Sequence, residues 1–293
     1  MTKNTAPKPQ KQLSERRAKA AALVAKNAER QKKQKIALYS GFGVLAVSII
    51  VAVTLVILNS TANKLDVSET SPTALSTNGV IMTSPIDIVK GESYKLDGGE
   101  PAKTEDLLKD SEVPHIEIYL DYDCPHCADF EEAAAATLEA ELASGTATVE
   151  YKPIVVIGSN LSISGANAAA CVAEYAPERF LDAHNALFAQ HGEQNVSVGK
   201  TIRALNIDGE AGENVESCVS SKVFSDWVQT ASTYSTSLTD ESGAPVVAGT
   251  PTILIDGMKY DLNPVELPTF LNYLKESGLS VEEALKNVKA PQG

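Results

Sequence analysis

The chain of 293 residues has room for one good-sized domain or two small ones, and 43% hydrophobic residues is enough for a real core. Its formal net charge of -13 is unevenly spread: residues 1–36 carry 11 Lys or Arg against Glu15 and Glu29, a net of +9, which leaves -22 for the remainder. That acidic bulk argues against a nucleic-acid partner, and the basic head reads as a topogenic tail that can touch anionic lipid headgroups.

Next in the chain comes ALYSGFGVLAVSIIVAVTLVIL, residues 37–58, with no charged residue in 22 positions. At ~1.5 Å per residue such a helix is ~33 Å long, enough to cross a hydrocarbon core of ~30 Å. It is expected to be a transmembrane anchor. The Lys and Arg excess ahead of it places residues 1–36 in the cytoplasm and everything after residue 58 outside. A cleaved signal peptide is the rival reading, with Ser60-Thr61-Ala62 a weak cleavage site, but the apolar run exceeds the usual ~7–15 residues. Residues 59–78 hold eight Ser or Thr in twenty positions with almost no apolar periodicity, so they are expected to be a linker.

From residue 79 to 293 apolar and amphipathic runs alternate. GVIMTSPIDIVKG (79–91) predicts a strand or hairpin, and HIEIYLDYD (115–123) alternates with strand period. Phe130, Ala134, Leu138 and Leu142 then recur every four residues along one helix face, with Gly145 a natural stop. ATVEYKPIVVIG (147–158) is the next strand. Residues 162–238 read as a block of helices, PTILIDGMKYDL (251–262) as a hairpin turning at Asp256-Gly257, and the remainder as two further helices. A strand, helix, strand unit requires a parallel pair, which the later hairpin can extend antiparallel. The expected fold class is therefore α/β with an all-helical insertion.

The chemistry lies in DYDCPHCADF, residues 121–130. Cys124 falls where a strand ends and a helix begins, and Pro125 stands in the first turn, where its missing N–H costs nothing. Free N–H groups and the positive end of the helix dipole then face the first sulfur, and His126 can add a hydrogen bond or positive charge. Such surroundings lower a cysteine pKa, and stabilising the reduced form makes the disulfide a stronger oxidant. Asp121, Asp123 and Asp129 oppose this, because negative charge disfavours a thiolate. Zinc would need two more ligands at sensible spacing, and neither a second C-x-x-C nor a close His pair exists, so no metal or other cofactor is expected. A second motif, GTPTILIDG (249–257), begins its strand at Pro251, and X-Pro is the bond that accepts cis geometry. A cis bond there would set the Thr250 backbone beside the cysteine pair, able to pair with an extended substrate chain.

C-P-H-C at a strand-to-helix junction and G-T-P-T before the last hairpin together resemble the thioredoxin superfamily. With a helical insertion between them, residues of about 79–285 are similar to the DsbA branch, especially the membrane-anchored MdbA-type disulfide-forming oxidoreductases of Gram-positive envelopes. The resemblance implies a thioredoxin-like fold and roles residue by residue. Cys124 is the solvent-facing cysteine that forms the mixed disulfide, Cys127 the buried resolving one, Thr250 and Pro251 the cis-proline loop that guides substrate, and His126 the tuning residue beside Pro125. It also implies exported cysteine-containing proteins as substrates and a quinone-linked membrane oxidase as the partner that restores the disulfide. The pattern departs from the family at one place: many relatives carry an acid six residues before the first cysteine, where this chain has Ile118, while Glu117 points to the other strand face.

Cys171 and Cys218, both in the helical block, are expected to pair in an oxidising compartment. Closing that loop of about 47 residues is worth ~4 kcal/mol in the chain-entropy model. His184 and His191, seven apart, read as ordinary helix residues, His115 as a strand residue without a role, and Phe224 and Trp227 as core. Two other functions stay compatible with the motifs: an envelope disulfide reductase or isomerase, for example in cytochrome maturation, and a redox-inactive peptide-binding chaperone.

Overall fold

The computed structural model describes residues 67–193 and 196–289. The basic tail, the apolar run 37–58 and the first part of the expected linker lie outside them. No helix among the described residues is long and apolar enough to cross a membrane.

The described strands form one sheet in the order β2-β1-β4-β3-β5-β6. β1 (Val80–Met82) and β2 (Ile88–Val89) make the predicted hairpin, and β1 lies antiparallel to β4 (Thr148–Pro153). β3 (His115–Leu120) runs parallel to β4, with His115 opposite Thr148 and Leu120 opposite Pro153. β5 (Thr252–Ile255) joins the other side of β3 antiparallel and turns into β6 (Met258–Lys259). Asp256 and Gly257 both have positive φ, 51° and 73°, the geometry of a tight two-residue hairpin turn.

A short helix α1 (Thr104–Leu107) precedes β3, and α2 (Pro125–Ser144) connects β3 to β4. α2 buries the predicted stripe of Phe130, Ala134, Leu138 and Leu142 and stops at Gly145, which takes the left-handed conformation at φ 65°. The insertion comprises α3 (Asn160–Tyr175), α4 (Phe180–Phe188), α5 (Val198–Arg203), α6 (Gly209–Ser221) and α7 (Ser225–Ser237), close to the expected 162–238. α8 (Leu267–Ser277) and α9 (Val281–Lys289) end the described chain. Phe224 and Trp227 are buried in the core, as read.

The sheet's two faces differ in kind. Ile116, Ile118 and Leu120 of β3 and Val149 and Tyr151 of β4 are fully buried apolar residues. On the opposite face, residues alternating with these place His115, Glu117, Thr148, Glu150 and Lys152 together. Lys152 Nζ lies 2.6 Å from Glu150 and 3.7 Å from Glu117, and His115 bridges Thr148 and Glu150.

This polar face overturns the linker boundary. Residues 67–78 pack on the domain: Ala74 and Leu75 are buried, the Thr77 hydroxyl donates to Glu150, and the Thr77 carbonyl accepts from Lys152 at 3.0 Å. The Thr73 hydroxyl and the Ala74 N–H donate to Glu174 of α3. Thr77 is buried here because its hydroxyl and carbonyl satisfy the buried charges of Glu150 and Lys152, which a composition argument based on missing apolar surface does not register.

Candidate active site

Cys124 caps α2 in extended conformation, with Pro125 following in the first helical turn as expected. The Cys124 N–H donates to the Asp121 carbonyl, and the Cys124 carbonyl accepts from Cys127 and Ala128, so the junction is fixed through the backbone. Cys124 and Cys127 are both unpaired thiols. His126 and Pro125 are exposed on the first turn.

Thr250-Pro251 is a cis peptide bond. Cys124 Sγ lies 3.3 Å from the Thr250 carbonyl oxygen, so G-T-P-T and C-P-H-C, more than a hundred residues apart in the chain, meet as one site. Thr252 Oγ1 closes the loop by donating to Gly249 at 2.7 Å. Cys124 departs from its expected solvent-facing position: it is 4% exposed, against 0% for Cys127. The physical reason is the loop itself, whose Thr250 carbonyl stands against the sulfur and takes the place of water. Burial pushes the Cys127 thiol well above its usual range, so in the reduced pair Cys127 keeps its proton.

Asp121 is not the free opposing charge that its place in the motif suggests. It is fully buried; one oxygen accepts the Asp123 N–H at 2.9 Å and the other accepts the Val156 and Ile157 N–H groups at 2.8 and 2.9 Å. This pins the loop after β4, whose Val156 and Ile157 side chains are exposed, beside the site.

Two histidines read as ordinary helix residues have partners at the motif. His184 is buried in α4; its Nδ1 is 3.1 Å from the Tyr122 hydroxyl and its Nε2 is 3.2 Å from Glu131, an ion-pair distance without hydrogen-bond alignment. His191 lies past the end of α4, with Nδ1 3.7 Å from Asp123. Their seven-residue spacing gave no hint of this, since neither Asp123 nor Tyr122 is near them in sequence. Cys171 and Cys218 form the expected disulfide, joining α3 to α6 with Cα atoms 5.8 Å apart. Among the described residues no group of three or more His, Cys, Asp or Glu is placed to hold a metal.

The thioredoxin family model matches residues 109–275, more than half of the chain and a span that includes every residue of this site. The chain belongs to the thioredoxin family. Among solved structures, this thioredoxin-family chain is similar to the MdbA thiol-disulfide oxidoreductase of Actinomyces oris, at 26% identity over 57% of this chain and 80% of that one, TM-score 0.48. It is also similar to DsbA of Mycobacterium tuberculosis, at 21% identity over 72% and 98%, TM-score 0.48. BdbD of Bacillus subtilis is a further neighbour, at 16% identity over 76% and 100%, TM-score 0.47. A search of curated proteins found no match.

Proposed function

We propose that this chain is a membrane-anchored thiol-disulfide oxidoreductase, its catalytic domain outside the cytoplasm, that introduces disulfides into exported proteins. The observation that carries the reading is the contact of Cys124 Sγ with the Thr250 carbonyl, with Cys127 buried behind it. The backbone beside the cis-proline is then available to an extended substrate chain at the sulfur that reacts.

In the oxidised enzyme a substrate thiolate attacks Cys124 Sγ, the Cys124–Cys127 bond breaks, and Cys127 leaves and takes up a proton. A second substrate thiolate attacks the substrate sulfur of the mixed disulfide, and Cys124 leaves as the thiolate that the N-terminus of α2 stabilises. Two electrons have passed from substrate to enzyme, one proton rests on Cys127, and the other substrate thiol proton has gone to solvent, because Cys124 is left as a thiolate. Recharging the pair needs an electron acceptor, for which a quinone-linked membrane oxidase is the fitting partner. Residues 37–58 supply the anchor and hold the domain on the outer side.

Cys127→Ala should accumulate mixed disulfides between Cys124 and exported proteins in cells, and their absence would sink the catalytic reading in favour of a peptide-binding scaffold. Equilibration with glutathione sets the direction of electron flow. A potential near about -120 mV supports an oxidase, and one near about -270 mV a reductase.

A further inference from the structure

We propose that His191, brought to the active site by the helical insertion, is a positioning residue for Cys124: as an imidazolium it neutralises Asp123, whose carboxylate otherwise opposes a thiolate on the next residue. This rests on the reading of Cys124 as the exchanging thiolate.

The three aspartates of the motif differ in what they leave free. Asp121 is spent on three backbone N–H groups. Asp129 is exposed, where water and salt screen it. Asp123 adjoins Cys124, and its side chain is only 28% exposed, so solvent screens its charge less than that of Asp129. His191 Nδ1 stands 3.7 Å from Asp123 Oδ1 and is itself shielded from solvent without a hydrogen-bond acceptor. A proton on that nitrogen has Asp123 as its counter-charge.

The insertion holds this geometry by packing. The Phe188 ring at the end of α4 lies 4.9 Å from the Tyr122 ring, and the His191 N–H returns to the Phe188 carbonyl at 2.9 Å. The titratable groups of the segments that carry and adjoin the pair are as follows. From the β3–α2 loop come Asp121, already satisfied, Tyr122, whose hydroxyl is engaged by His184, and Asp123 itself. The first turn of α2 contributes exposed His126, and Glu193 follows in His191's own turn.

The neutralisation needs a proton on His191, and acidification can only favour that proton, so its effect should be larger at pH 6 than at pH 8. The test is the equilibrium of the full chain in detergent, in which enzyme disulfide and two glutathione thiols exchange with enzyme dithiol and glutathione disulfide. At pH 6, His191→Gln should make the enzyme about threefold less oxidising, ~14 mV at ~30 mV per tenfold. At pH 8 the shift should be smaller. Asp123→Asn should be more oxidising than wild type at pH 8, and adding His191→Gln to it should shift the potential less at pH 6 than the same substitution does in wild type. His191→Lys, charged throughout, should match wild type at pH 6 and exceed it at pH 8, a readout that a merely structural role would not move. The proposal fails if the His191→Gln shift is missing at pH 6, equal at both pH values, or undiminished in the Asp123→Asn background, or if His191→Lys behaves like His191→Gln. Capture of reduced wild-type Cys124 by iodoacetamide at pH 6 separates the two levels. If capture fails, the thiolate reading falls and the pairing with it; if capture succeeds and the cycle fails, only the pairing is wrong.

Discussion

Asp121 lies three residues before Cys124, fully buried, with both carboxylate oxygens given to backbone N–H groups. From the sequence it counts as one of three charges set against a thiolate, because nothing local reveals that Val156 and Ile157, thirty-five residues on, donate to it. Its work is instead to join the cysteine-bearing loop to the loop after β4. Asp121→Ala would leave three donors without an acceptor. A buried unsatisfied donor costs ~1–3 kcal/mol, and the two donors of the half-exposed loop can recover water, so the expected loss is about 2–3 kcal/mol in urea unfolding. The amides of Asp123, Val156 and Ile157 should exchange hydrogen faster than in wild type, while those of α8 should not. Unchanged exchange at Val156 and Ile157 would mean that the loop is held by its own packing.

Among the elements, those with a repeating signal were legible. The four-residue stripe of α2 and its stop at Gly145, the alternation of β3, the hairpin turn at Asp256-Gly257 and the helical block all stand where periodicity and turn chemistry put them. The site was legible through its two motifs, because a strand-to-helix C-P-H-C and a strand-opening T-P are local patterns. What escaped were residues 67–78, which are held by Ala74 and Leu75 in the core and by bonds to Glu150, Lys152 and Glu174 far away in sequence, and the histidines of α4 and its following turn, whose partners are tertiary. The α3–α6 disulfide tests the insertion as an element. Cys171 and Cys218 are fully buried, and their loop spans 47 residues. Cys171→Ala/Cys218→Ala should lose about 4 kcal/mol of unfolding free energy on the chain-entropy account. Glutathione exchange at Cys124 and Cys127 should survive in whatever fraction is folded. Loss of exchange in folded double variant would make this bond part of the redox cycle instead of a staple.

At the scale of the described domain, one ion cluster ties the polar face of the sheet to the segment that precedes it. Glu150 accepts from Thr77 and Thr104, stands 2.6 Å from Lys152 and lies 3.2 Å from His115. Burial alone would push Glu150 up, but Lys152 and the His115 hydrogen bond pull it down further, to about 2. Burial likewise works to lower Lys152, and Glu150 outweighs it, so the lysine is raised and the two partners agree on an ionised pair. A carboxylate depressed in the folded state adds stability that is fully present above its unfolded pKa of about 4.5 and is lost as pH falls through about 2. Glu117, pushed up by burial, works in the opposite sense. Glu150→Gln isolates the first effect, because comparing the two proteins at each pH cancels most of what Glu117 contributes to both. At neutral pH the substitution leaves buried Lys152 with only Glu117 as a more distant counter-charge, and removing one partner of a buried pair costs ~3–5 kcal/mol. The gap between wild type and Glu150→Gln in urea unfolding should hold from pH 7 to about 4.5, shrink below that, and close near pH 2. A gap that stays constant down to pH 2 would show that packing of the glutamate side chain, not its charge, holds residues 67–78 to the sheet.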